Sequence, residues 1–507
     1  MAAHAKTEPA AEPARDTIAA ISTPPGRGGI GIVRLSGPES ASIAAQLVRL
    51  RQPLEHALAR LADVLDESEE PARIDEAVVT YFAAPRSYTT EDLVEIAAHG
   101  SPVVLELLLR RAIALGARLA EPGEFTQRAF VSGRLDLTQA EAVRDLIEAQ
   151  TLTQARQAAS QMGGALSRRI VPIKQSLVEL IALLEAGIDF AEDDVDVTPQ
   201  SEIAGRIHAL TAPLAALEAS FARGRIIHDG LTLAIVGRPN AGKSSLFNRL
   251  VERDRAIVTA TPGTTRDLVT ERISLDGIPL ELVDTAGLRE AREEAEQIGI
   301  ERSREALADA ALVVIVLDAT QPINEEERRL FAAVEGRPAL IAVNKSDLVP
   351  GDRERAHSPG DASQAVTQRL GRSQISQDAT SIVPHMPSWE EHASVPESKP
   401  VASEIPAVPT SALTGEGIAQ LRERILSLAT GGAAPETGLL TNLRQHQAVS
   451  TALTALTDAA HANATSIPHE MILLDLYRAL WALDSLTGQT TPDDILNLIF
   501  STFCIGK

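Results

Sequence analysis

Apolar and polar positions divide the chain into segments of three kinds. Between residues 17 and 124, short runs in which apolar and polar residues alternate predict strands, and stretches typical of helices lie between them. From residue 136 to about 223 the apolar positions recur at intervals of three and four, which predicts amphipathic helices. A third kind of sequence follows, in which continuous apolar runs end in short polar motifs, before the helical period returns near the C-terminus. We therefore expect an α+β domain, a helical domain in two parts, and an α/β domain inserted between those parts.

The same positions predict individual elements. In the first segment the predicted strands cover residues 17–22, 29–35, 77–82 and 93–97, and the predicted helices cover residues 41–50 and 103–115. In the helical segment Thr138 and Glu141 predict a capping box. The buried face of a long helix is predicted at Ile170, Ile173, Leu177, Leu180, Ile181 and Leu184. The period resumes at Leu473, Leu476, Leu480 and Leu483, and T-P-D-D at 491–494 predicts one more helix start.

The inserted segment carries four motifs in a fixed order. Residues 237–244 read G-R-P-N-A-G-K-S, a phosphate-loop pattern, and they directly follow the apolar run at 231–236. G-T-T at 263–265, D-T-A-G at 284–287 and N-K-S-D at 344–347 come later, the last two after apolar runs at 278–283 and 339–343. A glycine-rich turn with scattered aspartates does not account for four motifs in this order. The segment is predicted to be a Ras-like P-loop GTPase domain.

Each motif has a chemical reason for its residue types. Small residues let backbone N–H groups surround phosphate oxygens, Lys243 supplies a positive charge to the outer phosphates, and Ser244 offers its hydroxyl to Mg²⁺. Thr265 is the expected second Mg²⁺ hydroxyl, Asp284 can hold a metal-bound water, and the Gly287 amide can approach the γ-phosphate.

The base is predicted from Asp347. Its two carboxylate oxygens can accept hydrogen bonds from N1–H and the 2-amino group of guanine, and adenine offers neither donor. The S-A-L loop at 411–413 is expected to lie behind the base. The predicted GTP-binding residues are Asn240, Ala241, Gly242, Lys243, Ser244, Ser245, Thr259, Ala260, Thr261, Pro262, Gly263, Thr264, Thr265, Asp284, Thr285, Ala286, Gly287, Asn344, Lys345, Asp347, Ser411 and Ala412.

The group that orients the attacking water is missing from its usual place. A Ras-like enzyme uses a glutamine directly after the last glycine of D-T-A-G, but here that residue is Leu288. The nearest polar side chains are a run of glutamates, which taken alone are more typical of a solvated helix face: Glu290, Glu293, Glu294 and Glu296. The sequence identifies no arginine finger. Asn240, together with the carbonyl- and hydroxyl-rich stretch at 259–264, is able to coordinate a K⁺ ion that supplies the missing positive charge.

Composition limits the remaining possibilities. A length of 507 residues predicts about three domains. With 47 Lys and Arg against 69 Asp and Glu, the net charge of −22 argues against a general polyanion-binding surface, so any RNA contact is expected to be local. The single cysteine, Cys504, excludes an internal disulfide, and the N-terminal stretch resembles neither a secretory signal nor a transit peptide. No apolar run reaches membrane-spanning length, so a cytoplasmic protein without a membrane association is expected.

Two further stretches have a composition or a motif that calls for a separate interpretation. Residues 350–403 are rich in Ser, Pro, Gly, Gln and Glu and are expected to form a disordered insertion, because they cannot bury enough apolar surface to fold alone. Residues 26–31 formally match G-x-G-x-x-G, but a strand pattern follows them, and no helix is expected until after Pro38. A tight turn is predicted there in place of a dinucleotide-binding loop.

Several stretches resemble one known family. They are P-P-G-R-G-G at 24–29, S-Y-T at 87–89 with Glu95, P-G-E-F-T-Q-R-A-F at 122–130, L-D-L-T-Q-A-E-A at 135–142 and F-C-I-G-K at 503–507. Together with the nucleotide motifs they are similar to the MnmE (TrmE) family of tRNA modification GTPases, and the resemblance spans nearly the whole chain. The 122–130 and 503–507 stretches are far more specific than any nucleotide motif.

The resemblance implies an activity and its partners. In the family, a folate-binding N-terminal domain forms the homodimer, and GTP hydrolysis is stimulated by K⁺-dependent pairing of G domains. A heterotetramer with MnmG, which carries FAD and uses NADH, adds an aminomethyl or carboxymethylaminomethyl group at C5 of the wobble uridine of certain tRNAs. The implied one-carbon donor is 5-formyl- or 5,10-methylene-tetrahydrofolate.

The resemblance also assigns site residues by position. It implies K⁺ ligands at Asn240, Thr259, Thr261 and Thr264, Mg²⁺ ligands at Ser244 and Thr265, and the water-positioning role at Glu296. The folate-contacting positions are Arg34, Glu95, Arg134 and Lys507. Three cations and one carboxylate suit the glutamate tail and pterin edge of a folate, but without the family each residue fits a surface ion pair equally well. Arg134 stands where the family usually has Lys, which keeps the charge and changes its geometry.

The expected domain division follows from these patterns. A tail covers residues 1–15, the folate-binding and dimerisation domain 16–130, the helical domain 131–225 and 431–507, and the G domain 226–430. Cys504, beside Lys507, joins Lys243 and Glu296 as a catalytic candidate, although a lone cysteine also fits a packed small apolar residue.

Three function classes fit the sequence. They are a GTP-hydrolysing tRNA-modification enzyme, a regulatory GTPase of ribosome assembly, and a folate-dependent one-carbon transferase whose G domain gates assembly. The sequence shows no RNA-binding segment with a G-x-x-G loop, and it carries the 503–507 stretch, which favours the first class.

Overall fold

The computed structural model describes residues 16–66, 68, 70–189, 199–251, 270–284, 310–349, 405–430, 437–489 and 499–506. The chain forms two compact units. The first comprises Met1–Ile147, Ala158–Leu214 and Gln447–Lys507, and the second comprises Glu148–Gln157 and Ala215–His446. Within the described part of the chain, every helix is too short or too polar to span a bilayer.

Seven described strands of the first unit form one sheet. They are β1 Ile18–Ile21, β2 Gly28–Ser36, β3 Val48–Leu50, β4 Ala59–Leu65, β5 Arg73–Phe82, β6 Leu93–Gly100 and β7 Arg118–Leu119, in the order β3-β4-β5-β6-β2-β1-β7. Only the β1–β7 pair is parallel among these described strands. Helices α1 Ser40–Leu47, α2 Pro102–Ala114 and α3 Glu124–Val131 accompany the sheet.

The alternation that predicted the strands also makes the core of this sheet. Val33 and Leu35 of β2 and Val94 and Ile96 of β6 are fully buried and pack with Leu108 of α2. The predicted strands β1, β2, β5 and β6 are confirmed, and so is the helix α2. The helix predicted over residues 41–50 is wrong at its end. It stops at Leu47 because residues 48–50 pair with β4 as a strand.

The glycine-rich stretch at 26–31 leads into β2 without a dinucleotide-binding helix. A Cβ on Gly31 would lie 2.3 Å from the side chain of Leu105, and one on Gly100 would lie 2.6 Å from the carbonyl oxygen of Gly28. Glycine is therefore needed here for close packing of strand against helix and strand against strand. This explains the pattern without a ligand.

Five further described helices follow α3 before the next strand: α4 Leu137–Glu148, α5 Leu152–Met162, α6 Ala165–Asp189, α7 Gln200–Ala219 and α8 Phe221–Asp229. The apolar residues predicted to line a long helix all lie buried on α6. The capping box predicted at Thr138 and Glu141 is wrong. Asp136 accepts from the Gln139 N–H at 2.9 Å and Gln139 Oε1 accepts from the Asp136 N–H at 3.0 Å, so the helix begins two residues earlier than predicted.

Six described strands of the second unit form a mostly parallel sheet. They are β8 Leu231–Val236, β9 Thr270–Leu275, β10 Ile278–Asp284, β11 Leu312–Asp318, β12 Ala339–Asn344 and β13 Ala407–Pro409, in the order β13-β12-β11-β8-β10-β9. β9 pairs antiparallel with β10, and the other described pairs are parallel. Three described helices accompany this sheet: α9 Lys243–Val251, α10 Glu325–Ala333 and α11 Ile418–Thr430. Two more follow in the chain, α12 Leu443–Ala464 and α13 His469–Thr487.

The fold class predicted from the sequence is confirmed: an α+β N-terminal part, helices, and an inserted P-loop α/β domain. The helix start predicted at 491–494 and the insertion predicted at 350–403 lie outside the described residues. Parallel strands place their carboxyl ends along one edge of a sheet. The ends of β8, β10, β11 and β12 therefore share one edge of the sheet, and three of the four nucleotide motifs begin at or directly after the ends of β8, β10 and β12.

An ion-pair network fixes the start of α3 in the first unit. Glu124 Oε1 accepts from Arg118 Nη2 at 2.6 Å and from Arg128 Nη2 at 2.9 Å, and Arg128 also pairs with Glu91 at 3.0 Å. Burial acts to raise the pKa of Glu124, but the hydrogen bonds from Arg118, from the Glu121 N–H and from Arg128 outweigh it and lower the pKa below its ordinary value of 4.5.

A lowered pKa in the folded state makes this carboxylate a source of acid-sensitive stability. The stabilisation is present above pH 4.5 and is lost as the pH falls below it through the folded pKa. We expect Glu124→Gln to lower the free energy of unfolding at neutral pH by about 1–3 kcal/mol. The difference from the wild type should shrink in acid. Urea unfolding at about pH 7 and about pH 3 measures it.

The exposed Glu106 on α2 provides the matched control, because Glu106→Gln removes a carboxylate outside this network. It should leave the unfolding free energy unchanged at both pH values. A constant difference between Glu124→Gln and the wild type across the pH range would contradict the role given to this carboxylate.

Candidate functional site

The phosphate loop leaves β8 at Val236 and enters α9 at Lys243. Two of its glycines have positive φ and no room for a side chain. A Cβ on Gly237 (φ +150°) would lie 2.3 Å from the carbonyl oxygen of Val316, and one on Gly242 (φ +95°) would lie 2.1 Å from Nδ2 of Asn344. The loop is thus packed against the ends of β11 and β12, and its backbone N–H groups lead into a helix N-terminus, an arrangement suited to a phosphate.

Lys243 lies inside this loop. Its Nζ donates to the carbonyl oxygens of Gly237 at 2.6 Å and Arg238 at 3.0 Å. The ammonium group is therefore held across the loop, where a point charge reaches a bound phosphate. Asn240 has φ +63° and is exposed, Ala241 is buried, and Ser244 and Ser245 are exposed in the first turn of α9.

Asn344 joins the phosphate loop to the loop at 411–413. It is 2% exposed at the end of β12, its Nδ2 donates to the Ala241 carbonyl at 2.9 Å, and its Oδ1 accepts from the Ala412 N–H at 3.0 Å. One buried side chain thus satisfies both ends of its amide with backbone groups from two loops. The predicted residues Ala241, Asn344 and Ala412 are brought together by this bridge.

The predicted guanine-binding residue Asp347 lies in a 3₁₀ turn, Ser346–Leu348, and is half-buried. Lys345 directly precedes this turn and has φ +62°. The Nζ of Lys345 donates to Asp318 Oδ2 at 2.7 Å. Burial acts to raise the pKa of Asp318, but hydrogen bonds from Lys345 and Thr320 outweigh it and hold the pKa below its usual value. Asp318 is therefore a carboxylate that orients the lysine of the N-K-S-D motif.

Two residues that stabilise this site were missed by the sequence interpretation. Arg249 of α9 donates to the carbonyl oxygens of Ala412 at 2.9 Å and Leu413 at 2.8 Å, and so holds the loop at 411–413. Asp318 ends β11 as Asn344 ends β12. A polar residue at the carboxyl end of a buried apolar strand is the signal that could have found Asp318.

Several predicted site residues cannot be placed. Thr259, Ala260, Thr261, Pro262, Gly263, Thr264, Thr265, Thr285, Ala286, Gly287, Glu296 and Lys507 lie outside the described residues. The backbone of Asp284 ends β10, and its side chain lies outside the described part.

A second cluster of predicted residues lies in the first unit. Arg34 donates through Nε at 3.0 Å and Nη2 at 2.7 Å to Oε1 of Glu95, which faces it across the β2–β6 pair. Nη1 of Arg34 donates to the carbonyl oxygen of Gly506 at 3.2 Å, and its guanidinium carbon lies 5.5 Å from the centre of the Phe125 ring. The structure thus brings Arg34, Glu95 and the end of the chain together, with an aromatic ring below the cation.

Arg134 joins this cluster through Tyr88. Its guanidinium carbon lies 5.5 Å from the centre of the Tyr88 ring, and the Tyr88 hydroxyl lies 3.0 Å from Oγ1 of Thr126. Burial raises the pKa of Tyr88, and the hydrogen bond with Thr126 and the nearby charges of Arg34 and Arg134 only partly offset it. Tyr88 therefore keeps its proton at neutral pH. Tyr88 and Phe125 belong to stretches that carry the family resemblance, but they had no assigned role in the sequence interpretation.

The last described residues hold the chain end at this cluster. Ile505 pairs with Pro122 through an isolated bridge, and the Gly506 carbonyl accepts from Ser22 Oγ at 3.0 Å. The Cys504 thiol is exposed, and the carbonyl of Cys504 accepts from the Gly123 N–H at 3.4 Å. An exposed thiol disagrees with the alternative of a packed small apolar residue, and it leaves the sulfur accessible to a substrate.

Known proteins match the chain over both units. The family description "MnmE helical domain" matches residues 137–504, and "GTP-binding protein TrmE N-terminus" matches residues 17–134. A protein of Koribacter versatilis (strain Ellin345) named tRNA modification GTPase MnmE is 54% identical over 497 residues, which cover 97% of this chain and 99% of that protein. A protein of the same name from Chloroflexus aurantiacus is 40% identical over 497 residues, which cover 97% of this chain and 100% of that protein.

Proposed function

Because the chain belongs to the MnmE (TrmE) family of tRNA modification GTPases, we propose that it hydrolyses GTP to drive modification of the wobble uridine of certain tRNAs. The product carries an aminomethyl or carboxymethylaminomethyl group at C5. The proposal includes a homodimer, a heterotetramer with the FAD- and NADH-using partner MnmG, and a folate as one-carbon donor. It keeps the domain division at 16–130, 131–225 with 431–507, and 226–430.

The bridge made by Asn344 carries the nucleotide part of the proposal. A single buried amide binds the phosphate loop through Ala241 and the loop behind the base through Ala412. Both loops are therefore held in a fixed relation to each other, which supports one ligand whose phosphate group and base contact both. Independent turns would have no reason to share a buried polar side chain, because burying an amide is favourable only when its groups are hydrogen-bonded.

The base-reading role falls to Asp347. Its carboxylate is half-buried, and among the described residues it forms no side-chain hydrogen bond. Lys345, by contrast, is oriented by Asp318 at 2.7 Å. We assign to Asp347 the acceptance of hydrogen bonds from N1–H and the 2-amino group of guanine, and this pairing rejects adenine.

Hydrolysis needs a positioned water and positive charge at the outer phosphates. Lys243 supplies one charge from inside the loop. Ser244 and Thr265 are assigned to Mg²⁺, and Asn240, Thr259, Thr261 and Thr264 to K⁺; both ions stabilise negative charge that develops on phosphate oxygens. The exposed amide of Asn240 and the exposed hydroxyl of Ser244 fit these roles as oxygen donors. Glu296 is assigned to orient the attacking water.

The cluster around Arg34 fits a folate. Glu95 can accept from the N–H groups of a pterin edge, while Arg34, Arg134 and Lys507 supply cations for the glutamate tail. The rings of Phe125 and Tyr88 each lie 5.5 Å from one of the guanidinium carbons, so the cations are placed over aromatic faces at the site. The proposal places the one-carbon donor here, with the exposed thiol of Cys504 on the same terminal stretch.

The experiment that tests this function measures tRNA nucleosides in a deletion strain. We expect mass spectrometry to show loss of the modified wobble uridine, and restoration by the wild-type gene. The Cys504→Ser gene should fail to restore it while the purified variant hydrolyses GTP normally, since Cys504 belongs to the first unit and the nucleotide motifs to the second. Intact wobble-uridine modification in the deletion strain would contradict the proposal and favour a role in ribosome assembly.

A further inference from the structure

Four alternating charges run through the nucleotide site. Arg238, the second residue of the phosphate loop, lies between two carboxylates: Nε is 3.3 Å from Oε1 of Glu327, and Nη2 is 4.0 Å from Oδ2 of Asp318. The same Asp318 oxygen accepts from Lys345 at 2.7 Å. The charges lie in the order Glu327, Arg238, Asp318, Lys345. They connect helix α10, the phosphate loop, the end of β11 and the N-K-S-D motif at 344–347, which is called the guanine-binding loop below.

Burial makes these charges interdependent. The Glu327 side chain is 2% exposed, Asp318 8%, Arg238 15% and Lys345 32%. Taking a carboxylate out of water is costly unless a cation compensates it. Oε1 of Glu327 is buried and accepts no hydrogen bond from any described residue, so its compensation there is the ion pair with Arg238.

Glu327 also caps helix α10, and this capping role does not require its negative charge. Its Oε2 accepts from the Asn324 N–H at 3.0 Å while Asn324 Oδ1 accepts from the Glu327 N–H at 2.9 Å, which is a capping box at the start of α10. Glutamine closes a capping box as well as glutamate does. The substitution Glu327→Gln therefore removes the charge and keeps the cap.

We propose that Glu327, which no nucleotide-binding motif contains, is a positioning residue for the guanine nucleotide: by fixing Arg238 it keeps the phosphate loop and the guanine-binding loop in register. The inference rests on the proposed function, because it concerns the same nucleotide site. Without the Glu327 charge, Arg238 has only Asp318 as a described carboxylate partner, and it competes there with Lys345. The phosphate loop and the guanine-binding loop are then no longer held in a fixed position relative to each other.

The test compares nucleotide affinity across a double-mutant cycle. Binding of fluorescent GDP and of a non-hydrolysable GTP analogue is measured for the wild type, Glu327→Gln, Arg238→Ala and the double variant. We expect Glu327→Gln to weaken both nucleotides equally by about 5- to 20-fold, because both loops act on the shared diphosphate and base. The double variant should be no weaker than Arg238→Ala, since the two residues act as one unit. At saturating GTP, kcat should stay within about twofold.

Asn324→Ala is the matched control, since it breaks the cap of α10 and leaves the ion pair with Arg238 in place. It should lower thermal stability and leave GDP affinity unchanged. Equal affinity losses in Asn324→Ala and Glu327→Gln, or multiplicative losses in the double variant, would overturn the inference. If the wild type bound no guanine nucleotide, the proposed function itself would be contradicted. This outcome differs from failure of the inference, in which the wild type binds and only the pattern among the variants is wrong.

Discussion

GTP turnover is expected to fall by about 10³-fold or more when Na⁺ replaces K⁺ at constant ionic strength, by analogy with the loss of an arginine finger. Two features of the G domain give the reason. Leu288 follows Gly287 and has no polar group with which to orient water, and the sequence supplies no arginine finger. The proposed function therefore assigns the missing positive charge to a bound K⁺, and we expect the smaller Na⁺ to fit oxygen ligands placed for K⁺ poorly.

Asn240 is the described residue on which this dependence can be tested. It is exposed in the phosphate loop with φ +63°, a backbone conformation that asparagine tolerates better than most residues. Asn240→Ala should remove most of the K⁺ stimulation and leave the slow rate measured in Na⁺ almost unchanged. Asn248→Ala, an exposed asparagine on α9, should keep the full response and is the control. Equally fast turnover of a monomer in Na⁺ and K⁺ would refute the cation's role.

The elements that sequence predicts well are those whose signals are local. The apolar run at 231–236 coincides with β8, and the runs at 278–283 and 339–343 each extend by one polar residue, to Asp284 and Asn344. These strands are largely apolar, and in both β10 and β12 the last strand residue is the polar one that opens the motif. Because the motifs follow those ends, the edge of the sheet that bears the site was predictable.

Errors arose where a distant partner decided the structure. Residues 48–50 continue the helical pattern of α1, yet they pair with β4 as a strand, because that pairing completes an edge of the sheet. Helix α4 begins directly after Asp136, so Asp136 caps it in place of Thr138. The Asp136 side chain accepts from the Gln139 N–H, and the Gln139 side chain accepts from the Asp136 N–H. Two overlapping capping patterns are equivalent in sequence, and only the position of the helix start separates them.

The charged residues around the site were the least predictable. Arg249 and Glu327 lie on helices, where a charge most often belongs to a solvated face. Their partners, the Ala412 carbonyl and Arg238, are far away in the chain and come close only through the packing of the sheet. The sequence therefore gives the residues that contact the ligand, and the structure adds the residues that hold those in place.

The substitution Gly242→Ala is expected to reduce GDP affinity by about 10³-fold, equivalent to roughly 4 kcal/mol. Its Cβ would lie 2.1 Å from Nδ2 of Asn344, a side chain that is buried and hydrogen-bonded at both ends of its amide and so cannot move aside. Relief of the clash requires either the phosphate loop to move or the bridge between Ala241 and Ala412 to break. Each outcome displaces the backbone N–H groups that would surround phosphate oxygens. Fluorescent-GDP titration measures the loss.

Gly336→Ala separates this effect from ordinary backbone strain. Gly336 also has positive φ (+75°), but a Cβ there would meet nothing within 4 Å. Both variants carry the penalty for a left-handed alanine, about 1–2 kcal/mol, and should show similar reductions in thermal stability from that source. Only Gly242→Ala should lose nucleotide binding. If it bound GDP as tightly as Gly336→Ala does, the contact between the phosphate loop and Asn344 would be incidental, and the two loops would have to be held at their spacing by other residues.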